Sequence, residues 1–177
     1  MANILIDGYN IIGTAHDNLE KSRNDLIDKI RKYSEIKGHH VTLVFDGWKS
    51  GQKDQTMIRT REVAVIYSRL GEKADLVIKR LVNESKVPWI VVSSDREISE
   101  YSERHGHAAV SSAEFEEKLY HALKHPAVGP FDTGPADDID QSKEREDDAA
   151  PSPARSRGNP RKLSKKRRNR MEALNKL

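Results

Sequence analysis

Short, almost unbroken apolar runs recur along the chain, and each stops abruptly at turn residues. Ile4-Leu5-Ile6 stops at Asp7-Gly8, Leu43-Val44-Phe45 at Asp46-Gly47, and Ile90-Val91-Val92 at Ser93-Ser94-Asp95. Runs without polar alternation belong to strands covered on both faces, as in a parallel sheet. Strands are expected at 3–6, 41–45, 63–67, 89–92 and 107–110. The segments between them have helical spacing. Leu19, Leu26, Ile27, Ile30, Tyr33 and Ile36 mark a helix that stops at Gly38. Val77, Ile78, Leu81 and Val82 mark a second, 96–105 a third, and Phe115, Leu119, Ala122 and Leu123 a fourth. The alternation predicts an α/β fold of three layers around a mainly parallel sheet of about five strands.

This pattern ends near residue 125. Pro126, Gly129, Pro130, Gly134 and Pro135 interrupt the chain, and an acidic stretch and further prolines follow. A segment so polar buries too little apolar surface to offset the entropy of ordering it. The expected organisation is a folded domain over 1–125, a disordered linker over 126–160 that is first acidic and then rich in Pro, Ser and Arg, and a basic, helix-prone tail over 161–177.

Charge divides in the same way. Residues 1–125 carry 19 basic and 19 acidic side chains, so the net +3 of the whole chain comes from the remainder, with 12 basic against 9 acidic. The absence of cysteine excludes disulfide scaffolds, thiolate metal sites and cysteine nucleophiles, and suits a reducing compartment. Met1 to Ile6 has no basic start and is too short for a signal or a membrane span. A cytoplasmic protein is expected.

In an open parallel sheet, ligands bind beyond the carboxyl ends of the strands. Asp7, Asp46 and Asp95 follow strands there, and Asp75 falls in the first turn of the helix after the third strand. Gathered carboxylates repel one another, and a hard divalent cation with its waters relieves the repulsion. Such a cation acidifies water and neutralises charge developing on phosphorus, which points to phosphate-ester hydrolysis. Each acid also has a plainer explanation as a turn former or helix cap, and Asp46 is the weakest metal candidate.

The run Asp7-Gly8-Tyr9-Asn10 resembles the opening motif of the YacP-like NYN domains, a branch of the PIN-like nucleases. The resemblance extends in order through Val44-Phe45-Asp46-Gly47, Gly71-Glu72-Lys73-Ala74-Asp75 and Val91-Val92-Ser93-Ser94-Asp95-Arg96, covering roughly 4–123. Lys73 departs from the threonine usual at that place, and 47–61 matches no known motif. The resemblance implies a PIN-like fold and a metal-dependent endoribonuclease, with Asp7, Asn10, Asp75 and Asp95 as catalytic positions. Some members act on messenger RNA in association with ribosomes, so messenger RNA is the expected substrate and the ribosome a candidate partner.

The expected mechanism has Asp7, Asp75 and Asp95, with Asp46 as an outlying candidate, holding Mg2+ or Mn2+ so that a metal-activated water attacks phosphorus. Asn10 would position the water or a phosphate oxygen, or else cap the turn. Arg96 would pair with a phosphate, or else with Glu97 or Glu100. Tyr9 would stack on a base, or else pack beneath the site. His39, His40, His105 and His107 fall at strand starts on the opposite rim, and only His16 lies near the motif.

In the tail, Arg161, Lys162, Lys165, Lys166, Arg167, Arg168 and Arg170 form a cationic segment suited to RNA phosphates through counterion release. A solvated tail, a membrane-surface helix and a segment folding back on the acids of 137–148 are the other readings. The competing function is an RNA- or ribosome-binding module whose acidic site is inactive. An aspartyl phosphatase would have an acid at Tyr9, and a dinucleotide site would have a glycine-rich turn with no acid in it.

Overall fold

The computed structural model describes residues 1–13, 18–47, 54–126 and 164–177. Six strands form one sheet: β1 (Asn3–Asp7), β2 (His40–Phe45), β3 (Thr56–Thr60), β4 (Val63–Tyr67), β5 (Trp89–Val92) and β6 (Ala108–Val110). Their order is β3-β4-β2-β1-β5-β6, with every pairing parallel except the β3–β4 hairpin. The helices are α1 (Gly8–Ile12), α2 (Leu19–Lys37), α3 (Ala74–Glu84), α4 (Arg96–Arg104), α5 (Ser112–Lys124) and α6 (Lys165–Lys176).

Strand side chains sort by parity into two cores, as the two-residue period of a strand requires. Ile4, Ile6, Leu43, Phe45, Val65 and Val92 face α2, α5 and α6, where Ile30, Tyr33, Phe115 and Leu119 meet them. Leu5, Val44, Ile66 and Val91 face the other way, onto Val77 and Ile78 of α3 and Ile98 of α4. The three expected layers are therefore present.

Two elements differ from the sequence reading. The sheet has six strands instead of about five, because 56–60, where no strand was expected, forms the edge strand β3. Its residues are exposed on both faces, so burial imposed no alternation, and its turn uses Arg61 at φ 50° without a glycine. Within the basic tail, α6 does not stand apart from the domain. Ala173 and Leu177 are each only 3% exposed, the Tyr33 hydroxyl donates to the Leu177 carbonyl at 3.1 Å, and His39 Nε2 bonds the Lys176 carbonyl at 2.8 Å. The acidic stretch, Arg161 and Lys162 lie outside the described residues, as does His16.

Candidate active site

The site is the carboxyl rim around β1. Because β1 sits between β2 and β5, chain connections diverge to either side of it, the point where parallel sheets open a crevice. Asp7 ends β1, Asp46 follows β2, Asp95 follows β5 by three residues, and Asp75 enters from the first turn of α3.

Each acid is tied to a helix start. Asp7 caps α1, its Oδ1 accepting the Asn10 N–H at 3.3 Å. Asp95 caps α4, with Oδ1 accepting from Glu97 N at 2.6 Å and Ile98 N at 3.4 Å. Lys73 occupies the N-cap of α3 and offers no side-chain acceptor, so Asp46 Oδ1 reaches across to the Ala74 N–H at 2.5 Å instead. The plain and the chemical explanations of these acids are therefore compatible. One carboxylate oxygen fixes the side chain on a partly positive helix terminus, and among the described residues the second oxygen of Asp7, Asp46 and Asp95 has no hydrogen bond.

The rim is electrostatically loaded. Asp7 is 6% exposed, and its carboxyl is pushed up to about 6, first by burial and then by the charges of Asp75, Asp46 and Asp95; the Asn10 N–H works in the opposite direction. Asp75 is also raised, by burial and by Asp95 and Asp46, with Lys79 and Lys73 opposing. The four carboxylates thus act on one another. Among the described residues, however, no three acids or histidines converge tightly enough to form a ready ligand cluster. Their oxygen chemistry fits a hard cation that keeps several waters and few direct carboxylates.

Asn10 locks the crevice. Its Oδ1 accepts from Ser94 N at 2.9 Å and from Ser112 Oγ at 2.9 Å, joining α1 to the β5–α4 turn and to the start of α5. Since the Ser94 N–H can only donate, the atom facing it must be the amide oxygen, and among the described residues Nδ2 makes no hydrogen bond. The glycines beside the acids are sterically required. A Cβ on Gly8 would lie 2.1 Å from the Phe45 ring, and one on Gly47 would lie 1.5 Å from the Ser68 carbonyl.

The remaining expected residues divide. Tyr9 is buried edge-on against Phe45, at a centroid distance of 5.4 Å, in the packing role. Arg96 is highly exposed and pairs with Glu100 at 2.7 Å. In α6, Lys166 binds Glu103 at 2.7 Å and Arg170 grips both Glu114 oxygens at 2.6 and 2.7 Å, whereas Lys165 and Arg167 face solvent and Arg168 lies 4.0 Å from Glu172. The four histidines outside 14–17 that precede strands lie at the amino edge, away from the rim. Sequence reasoning missed Ser94 and Ser112, although Ser93-Ser94 and the Ser111-x-x-Glu114 capping box were visible in the chain. It also missed Arg23, Tyr67 and Ser68, which no local pattern marks.

Comparison with known proteins agrees with this architecture. The chain is 36% identical over 87 residues to the protein YacP of Bacillus subtilis (strain 168), an alignment covering 44% of this chain and 49% of that protein. It thus spans about half the length of the curated relative it matches. Crystal structures of Rae1 (YacP) from Bacillus subtilis share the fold. A mutant form superposes with a TM-score of 0.58 at 24% identity, covering 71% of this chain and 79% of that one; another structure gives 0.53 at 26%, covering 71% and 77%. The profile of the YacP-like NYN domain matches residues 4–176, including the C-terminal helix, and the chain accordingly belongs to the YacP-like NYN domain family.

Proposed function

We propose that this protein is a metal-dependent endoribonuclease that cleaves messenger RNA, in association with the ribosome, in the cytoplasm. The observation that carries the reading is the state of Asp7, a buried carboxyl at the end of the central strand, raised by burial and by three neighbouring acids. Acids raised by burial and by one another at a crevice mark functional sites.

Asp7, Asp75 and Asp95 are the residues that would hold Mg2+ or Mn2+, directly or through water, with Asp46 contributing from its cap. The bound ion would acidify water and offset the charge developing on phosphorus. The chain's own contribution is orientation. Helix caps fix one oxygen each of Asp7 and Asp95, while the Nδ2 of Asn10 is available to a water or a phosphate oxygen. The solvent-facing Lys165, Arg167 and Arg168, with Arg161 and Lys162 preceding them, would attract RNA without sequence preference. Lys166, Arg170 and Arg96 would join only by exchanging a glutamate for a phosphate. The competing reading, a binding module with a silent acidic site, draws support from the lack of a tight three-ligand cluster among the described residues.

One experiment separates them: incubation of structured RNAs, with and without translating ribosomes, with wild type and Asp7→Asn in Mg2+ or Mn2+. The nuclease reading expects cleavage by the wild type and a loss of at least about a hundredfold in the variant, the scale for removing a preorganised charged group. Equal cleavage by both proteins would remove the rim from the chemistry, and RNA binding without cleavage by either would favour the binding module.

A further inference from the structure

Arginines on and beside the rim are matched to carboxylates. Arg96 pairs with Glu100, Arg170 with Glu114, and Arg80 and Arg69 with the buried Glu72 at 3.0 and 3.6 Å. Arg31, half-buried on α2, pairs with Asp28. Arg23 is also half-buried, near the rim end of α2, yet it has no carboxylate within ion-pair distance among the described residues.

Its guanidinium is instead held by aromatic groups. The carbon Cζ lies 5.7 Å from the centroid of the Tyr67 ring, and Nη1 donates a long bond to the Tyr9 hydroxyl at 3.5 Å. Tyr67 closes β4 on the same rim, and its ring stacks on Phe45 at 5.8 Å; Phe45 in turn meets Tyr9 edge-on. The wall thus consists of the last residues of β2 and β4 and the second residue of α1, all set by the sheet. Arg23 and the rim acid Asp46 share Tyr9 as a neighbour. The Tyr9 phenol is raised, chiefly by burial, and both Arg23 and Asp46 act on it, in opposite directions.

A guanidinium in this setting has lost part of its hydration and, among the described residues, gained only a ring face and one long hydrogen bond. Its other N–H groups remain in a fixed fork, the geometry that matches two oxygens of a phosphate. We infer that Arg23, steadied by Tyr67, is a phosphate subsite on the β2–β4 side of the rim, taking a phosphodiester of the RNA strand next to the one positioned for cleavage. The inference rests on the RNA-cleaving reading for its substrate. It makes Arg23 the strand's anchor beside the acids, in a place where the acids alone would repel the backbone, while the tail cations attract RNA from farther off.

The test is binding of a short, labelled, single-stranded oligoribonucleotide across a salt series, by the full chain in an Asp7→Asn background so that nothing is cleaved. Arg23→Gln is expected to weaken binding about tenfold and to lower the slope of log affinity against log salt by about one, as loss of one phosphate contact does. Arg23→Lys should keep the slope and lose part of the affinity, because charge remains and the fork does not. Tyr67→Leu, which removes the platform and leaves the cation, should weaken binding by a smaller factor at unchanged slope, and gives an independent variant should Arg23→Gln fold poorly. In the active protein, Arg23→Gln should raise KM with kcat within about twofold. Parent affinity and slope in folded Arg23→Gln, or in folded Arg23→Lys and Tyr67→Leu together, would overturn the subsite. If the parent cleaves no RNA but Arg23→Gln still loses the contact, the subsite stands and the nuclease reading fails. Failure of the parent to bind RNA would overturn the subsite along with its premise.

Discussion

The acidic rim and the basic helix α6 are the two most charged regions described, and they treat charge in opposite ways. On α6, Lys166 and Arg170 are each met by a glutamate of another helix, and the apolar end of the helix is buried against Tyr33 and His39. At the rim, Asp7 and Asp75 are raised by their fellow acids, and relief comes from helix N–H groups at Asp7, Asp46 and Asp95 and from Lys79 and Lys73 at Asp75. Charge that is matched holds the fold together; charge left unmatched is what a ligand can use. A dense run of like charges in a sequence does not say which of the two it is.

The sharpest way to break this contrast is to delete 165–177. If α6 is structural, the loss of two buried apolar side chains and two buried carbonyl partners should destabilise the protein by roughly 3 to 5 kcal/mol, seen as a large fall in Tm. An unchanged Tm, with only RNA affinity reduced, would return α6 to the status of a free binding arm.

The rim predicts the opposite sign. The Asp7 carboxyl is raised in the fold, so its contribution to stability is fully present below the ordinary carboxyl pKa near 4 and is lost as pH rises through about 6. Asp7→Asn keeps a capping side chain and removes that loss, so the variant should be more stable than wild type above pH 7, by on the order of 3 kcal/mol, with the difference vanishing below pH 4. Urea unfolding at a series of pH values measures it. Added Mg2+ should narrow the gap by stabilising only the wild type; a gap independent of both pH and Mg2+ would mean that Asp7 is not under electrostatic pressure.

The smallest effect is expected at Arg170→Gln. Its partner Glu114 is a partly exposed member of the Ser111 capping box, so losing the pair should cost about 1 kcal/mol or less, reduced further in high salt. A larger loss would show that this ion pair, more than the apolar contacts, seats α6.

Most of the sheet was legible because burial on both faces wrote itself as nearly unbroken apolar runs, closed by turn residues such as Asp7-Gly8, Asp46-Gly47 and Ser93-Ser94. β3 was not, because an edge strand exposed on both faces carries no such record and its Arg61-Glu62 turn lacks a glycine signal. Asp7, Asp75 and Asp95 could be located because strand ends and helix starts fix them by topology alone. The roles of Asp46 and Asn10 could not be assigned in advance. One caps a helix from 28 residues away and the other binds Ser112 across 102 residues, separations at which local pattern carries no information. The docking of α6 was hidden for the same reason, since only Ala173 and Leu177 are buried in an otherwise polar helix.

The position of β1 also has a consequence in time. The first strand of the chain is central in the sheet, and its two neighbours begin only at His40 and Trp89. During synthesis Ile4-Leu5-Ile6 must wait for both, whereas the β3–β4 hairpin can close from local contacts alone. The four acids are spread over the same interval, from Asp7 to Asp95, so no partial chain short of β5 contains the assembled rim. Folding itself acts as the gate: the carboxylates meet only once β1, β2 and β5 have come together.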